Sequence, residues 1–186
     1  MKSPDRCRPL LAVALACLVL VFAGSVPAQT GSVMKDPTEV LKKYLSLDAH
    51  GARLQPLSLE SLKPYITWTE EPAWGRVVVI SGYTVPMDVK DWEVRANLDV
   101  VIPVDFDVVG HLYWESATFL SEPKVERVSF HIKAVHGLWR IIEPMMPPHV
   151  DQKRMINFVR QSLLTETDVA KLDRLAALRD DLRKAR

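Results

Sequence analysis

The stretch Val125-Glu126-Arg127-Val128-Ser129-Phe130-His131-Ile132-Lys133-Ala134-Val135-His136-Gly137-Leu138-Trp139-Arg140-Ile141-Ile142-Glu143 decides the fold. Its hydrophobic period is two. Glu126, Val128, Phe130, Ile132 and Ala134 fall on one face of an extended chain, and Arg127, Ser129, His131 and Lys133 fall on the other. One face is therefore core and the other is wet. Two alternating runs meet at His136-Gly137, where a glycine accepts positive φ, which predicts a tight hairpin.

Upstream of this hairpin β-branched residues dominate back to Arg76. The pattern predicts strands at Arg76 to Val85, Glu93 to Val109 with a break open at Pro103, His111 to Phe119, Val125 to Val135 and Leu138 to Pro144. Before the sheet the period is helical. Asp36 can cap and Pro37 suits a first helical position, and Val40, Leu41, Tyr44, Leu45 and Leu47 recur on one stripe, so a helix is expected from Pro37 to about Asp48. Leu57 to Leu62 reads as a short second helix limited by Pro64. The segment 66–74 is a loop with two tryptophans, a candidate lid.

After Pro147-Pro148 the helical period returns in Asp151 to Leu164 and again from Asp168. The last helix carries Val169, Leu172, Leu175, Leu178 and Leu182 close to a heptad stripe, suited to packing on the domain or on a second copy as a homodimer. The order predicts an α+β fold: N-terminal helices packed on a curved antiparallel sheet, with two additional C-terminal helices, the helices segregated to one side.

The N-terminus is of a different kind. Lys2, Arg6 and Arg8 precede an apolar run from Leu10 to Val21 that ends in small residues at Val26-Pro27-Ala28. Residues 1–28 therefore read as a cleavable secretory signal peptide, too short in its apolar part for a membrane helix, so no stable membrane anchor survives cleavage. The expected layout is signal peptide 1–28, polar leader 29–35, α+β domain 36–148 and helical extension 149–186, in a periplasmic or secreted protein. Cys7 and Cys17 both fall in the removed segment, so the exported chain is disulfide-free and has no thiol for chemistry. The chain carries +1 overall, and removing the basic leader leaves −1. With no basic stripe and no interleaved aromatics, nucleic acid is not an expected partner.

Two local strings carry a family resemblance. They are Val40-Leu41-Lys42-Lys43-Tyr44-Leu45 leading to Asp48-Ala49-His50-Gly51-Ala52-Arg53-Leu54, and Gly137-Leu138-Trp139-Arg140-Ile141 at the last strand. Together with the element order, over about Asp36 to Pro148, they resemble the nuclear transport factor 2-like superfamily of cone-shaped α+β proteins, which includes ketosteroid isomerase and polyketide-cyclase-like members. The resemblance implies a curved sheet enclosing a pocket, with Trp139 packed into the cone. It carries no catalytic motif over residue by residue, and fold alone does not assign function.

Candidate site residues follow from side-chain chemistry. Asp99, with Asp105 and Asp107, alternates with the core set Leu98, Val100, Ile102 and Val104; facing an apolar interior it could serve as a general base, and facing water it is simply solvated. Of His50, His111, His131, His136 and His149, none pairs at the helical spacing of a zinc site, so no metal and no cofactor are expected. His111 shares a face with Tyr113 and Glu115, a trio able to bind a polar ligand or shuttle a proton, or to form a plain surface ladder. Trp68, Trp74, Tyr83 and Trp114 are candidates to line an apolar pocket.

Three functions stay open on these residues. The first is a non-catalytic exported domain that binds a small apolar ligand or a partner protein. The second is an isomerase, dehydratase or cyclase using an Asp or His base, with Tyr83 as oxygen donor. The third is a structural component of a periplasmic assembly. An enzyme needs a carboxylate or histidine directed into the cavity, whereas a binding module does not.

Overall fold

A computed structural model describes residues 36–54 and 58–185, and the signal peptide and polar leader read at 1–35 lie outside them. Helix α1 spans Pro37–Ala49. Asp36 caps it through a side-chain oxygen that accepts from the Thr38 N–H at 2.8 Å, and Pro37 opens it, as the sequence predicts. Short 3₁₀ turns follow at Ala52–Leu54 and Ser58–Ser61.

The sheet contains β1 (Arg76–Thr84), β2 (Glu93–Ala96), β3 (Asp99–Tyr113), β4 (Thr118–Val135), β5 (Leu138–Glu143) and β6 (His149–Asp151). Their order is β5-β4-β3-β1-β6, with β2 added to β3. All pairs are antiparallel except β1 with β6, so the sheet is mixed rather than purely antiparallel. Residues 144–148 alone connect β5, at one edge, to β6, at the other. In a flat sheet those edges would stand four strand spacings apart, about 19 Å, close to the full reach of so short a linker at about 3.3–3.6 Å per residue. The sheet therefore curls into a half-barrel and the linker closes over its inner face. Register shifts at Val79/Ile80 and Ile80/Gly82 in β1, and at Val108/Gly110 in β3, supply bends.

Two apolar clusters lie on opposite faces. On the inner face Val40, Leu41, Tyr44 and Leu45 of α1 are buried in one cluster with Val78, Ile80, Ile102, Val104, Phe106, Phe130, Ile132 and Ile141. Trp139, 8% exposed, belongs to the same cluster. On the outer face Val77, Val79, Val109 and Leu112 pack with Met155 and Val159 of α2 (Gln152–Thr165) and Leu178 and Leu182 of α3 (Val169–Lys184). Helices thus cover both faces, not one. The reason is parity: β1 is apolar at every position from Val77 to Ile80, so both of its faces need cover.

Several boundaries differ from the periodicity. The run 93–109 divides at Leu98, in a turn with φ 59°, and Pro103 continues β3 opposite Ser129. Gly110 does not end a strand, because β3 runs through to Tyr113 and β4 begins at Thr118. The 66–74 segment is tied down at its start, where Ile66 bridges Ile141 and the Thr67 N–H donates to the Ile141 carbonyl at 3.1 Å. Of the α3 stripe only Leu178 and Leu182 are buried, and Val169 is exposed.

Candidate functional site: a two-histidine cavity

The site depends on one extra residue in β3. Up to Val108 the even positions face inward, with Val104, Phe106 and Val108 in the inner cluster. Val79 pairs with Gly110 whereas Ile80 pairs with Val108, so Val109 is an insertion, and it joins the outer cluster. Beyond the bulge the odd positions face inward. His111 pairs directly with Val78 of the inner cluster, and Leu112 faces outward. Gly110 is required at this crossing: a Cβ there would lie 2.2 Å from the Leu120 carbonyl oxygen and 2.7 Å from Cζ of Phe119.

Val78 also pairs with His149 of β6. Three adjacent strands therefore set His111, Val78 and His149 in one transverse row on the inner face. Both histidines are buried, 5% and 3% exposed. They line one cavity of about 460 Å³ together with Arg76 and Tyr113, with Glu122, Lys124 and Glu126 from β4, and with Pro144, Met146 and Pro147 of the linker. The cavity exists because β5 pairs with β4 only at residues 131–135, which leaves the first part of β4 as an open wall.

The tautomer of His149 follows from its partner. Nδ1 lies 2.8 Å from the Pro147 carbonyl oxygen, which can only accept, so Nδ1 carries the proton and Nε2 is a bare acceptor. That Nε2 is buried with no hydrogen-bond partner, while the ring lies 4.5 Å from that of Phe106. In His111 the Nε2 side faces the Glu122 carboxylate at 3.5 Å, which favours a proton on Nε2 and leaves the buried Nδ1 bare and unpartnered. Burial holds both imidazoles below the ordinary histidine range, and Arg76 adds to this at His111. Two neutral rings, each with one buried and unpartnered nitrogen, thus line the same cavity.

A buried ionic hub holds the His149 side of this wall. Arg53 donates from Nε and a terminal nitrogen to both Asp48 oxygens at 2.8 and 2.7 Å, to Glu71 at 3.0 Å, and to the carbonyls of Met146 and Pro147 at 2.8 and 3.3 Å. The Asp48 carboxylate also accepts the backbone N–H of His149 at 3.0 Å. Burial works against the charge on Arg53, but Asp48 outweighs it and raises the guanidinium pKa. Tyr44, above which Arg53 lies 6.0 Å from the ring centre, is buried with an unpartnered hydroxyl and a raised pKa, mainly from desolvation.

The residues singled out by sequence distribute unevenly. Asp99 is away from this cavity: its carboxylate meets His131 Nε2 at 2.7 Å and Lys133 at 3.4 Å, and although burial opposes ionisation these partners hold its pKa down. It is an ionised partner in a polar ladder rather than a base facing an apolar interior. Asp105 pairs with exposed Arg127. His111 and Tyr113 share the cavity, whereas Glu115 lines a neighbouring one with Trp74. The four aromatic candidates occupy four places. Trp68 packs edge-on against Tyr44 at 6.3 Å beside the inner core. Tyr83 lines a separate cavity of about 610 Å³ with Lys42 and Lys43. Trp74 lines the one beside Gly75 and Arg76, and Trp114 packs on Phe158 at 5.5 Å next to α3. The Tyr83 cavity is larger than the histidine cavity, but among the described residues no buried unpartnered polar group lines it.

Sequence reasoning missed His149, which reads as a residue preceding a helix, and missed Asp48 and Arg53 as a pair. Their signal is the coincidence of Pro147-Pro148, which blocks a helix, with a capping Asp151, leaving His149-Val150 room for one short strand.

Among the described residues no group of three or more His, Cys, Asp or Glu side chains is placed to hold a metal ion, and no helix is long and apolar enough to cross a membrane. No family model, curated protein or solved structure matches the chain.

Proposed function

We propose that this is an exported binding module that holds a small, hydrogen-donating molecule in the His111–His149 cavity, within a fold of the cone-shaped nuclear transport factor 2-like kind. One observation carries the reading: two buried, neutral imidazoles line one cavity, and each keeps a buried ring nitrogen without a hydrogen-bond partner. Unpartnered buried acceptors cost about 1–3 kcal/mol each, and a ligand hydroxyl or N–H would recover that energy. The lining changes the expected ligand from apolar to polar, since the cavity mixes His111 and His149 with Arg76, Lys124, Glu122 and Glu126.

Native mass spectrometry of the chain recovered from an export host, compared with its denatured mass, tests this. The reading expects a small-molecule adduct that is lost in His149→Phe and weakened in His111→Phe. An adduct-free native protein, or an adduct indifferent to both substitutions, overturns it.

A further inference from the structure

A second cavity, of about 510 Å³, adjoins the histidine cavity and shares Arg76, Tyr113 and Pro147 with it. The two have opposite hydrogen-bonding character. Residues with unpartnered acceptors line the first, and residues with unpartnered donors line the second. Trp74 Nε1–H is buried there with no partner, and Arg76 forms no ion pair or side-chain hydrogen bond among the described residues. Every other charged group of the histidine cavity has a partner: Glu122 meets His111 and Lys124, and Lys124 meets Glu126. Arg76 is thus the one cation there without a counter-charge.

Register fixes the spacing. Arg76 pairs with Tyr113, and two residues along each strand Val78 pairs with His111. Residues two apart share a face and stand about 7 Å apart along a strand, so the donor end and the acceptor row are separated by one strand repeat.

Building on the histidine-cavity reading, we propose that the two cavities form one elongated site for a small acid, whose anionic group sits on Arg76 and Trp74 and whose hydroxyl or N–H reaches His111 and His149. Such a ligand carries its anion and its donor at opposite ends, as in a para-hydroxylated aromatic acid. Glu115 also lines the donor end, and both it and Arg76 are exposed at the rim, where water and salt screen them alike.

The test titrates the chain recovered from an export host calorimetrically with 4-hydroxyphenylacetate, with its neutral amide, and with 2-hydroxybenzoate, in which donor and anion are adjacent. The proposal expects the acid to bind about 10-fold more tightly than the amide, the difference that a charge-assisted bond confers over a neutral one, and 2-hydroxybenzoate to bind more weakly than either. Arg76→Gln should abolish the acid's advantage over the amide, while its far-ultraviolet circular dichroism and Tm match those of the wild type and report that the variant is folded. Trp74→Phe should reduce the advantage, and added salt should narrow it. Equal binding of acid and amide to the wild type, with both weakened by His149→Phe, overturns the anionic end and leaves the histidine cavity standing. Failure of all probes to bind, or binding that ignores His149→Phe, overturns both.

Discussion

Arg53 and Asp48 are both about 1% exposed at their side chains and 2.7 Å apart, so replacing either strands the other as a buried charge. Arg53→Met leaves the Asp48 carboxylate with only the His149 N–H, and Asp48→Leu leaves the guanidinium with Glu71 and two carbonyls. Breaking such a pair costs about 3–5 kcal/mol, which for a domain of this size lowers Tm by roughly 6–20 °C. Removing both charges should cost much less than the sum. What remains is about 1–3 kcal/mol for each buried group still unpaired, here the Met146 carbonyl, the His149 N–H and the largely buried Glu71 carboxylate. Urea denaturation of the wild type, both single variants and the double variant, followed by far-ultraviolet circular dichroism, closes the cycle. A coupling of about 3 kcal/mol or more is expected. Single effects below about 1 kcal/mol, the range of exposed pairs, or strictly additive ones, would refute the hub as the anchor of this wall.

Gly110→Ala places a methyl 2.2 Å from the Leu120 carbonyl, so it should destabilise by at least about 1–3 kcal/mol, read as a lower urea midpoint. Burial lowers the pKa of His149, so the unfolded chain takes up a proton near pH 6.5 before the folded protein does. Stability is then full above that pH and falls below it, by up to about 1.4 kcal/mol per pH unit; Tm between pH 8 and 5 should decline less steeply in His149→Phe, and parallel curves would contradict the assignment. On the wet face, Arg127→Ala removes an exposed partner from half-buried Asp105, and the loss, read from Tm, should be no more than the ~1 kcal/mol of a solvent-screened pair.

The elements whose signals are local were legible in the sequence. Asp36-Pro37 starts α1, Asp168 caps α3, and the hairpin turns at His136 and Gly137, both with positive φ. The face assignment in β4 also holds, with Val128, Phe130, Ile132 and Ala134 turned to the inner core. The site was less legible because it depends on departures from periodicity. Strict alternation from Val104 would send His111 outward, and only the inserted Val109 returns it to the inside, a one-residue event that twofold patterning cannot register. His149 reaches the row by a parallel pairing between opposite edges of the sheet, which no local string encodes. The aromatic residues misled by composition alone, since large side chains at Trp68 and Trp114 are spent on packing in two different places.

The central claim concerns two nitrogen atoms, and the most direct measurement observes them. Long-range ¹H–¹⁵N spectra of the histidine side chains would be recorded on the protein as purified from an export host and again after unfolding, dialysis and refolding. The account predicts neutral rings, with His149 protonated at Nδ1, and resonances of His149 Nε2 and His111 Nδ1 that move when the ligand is removed while those of exposed His50 and His136 stay in place. Protonated rings at neutral pH, or identical spectra before and after, would contradict it.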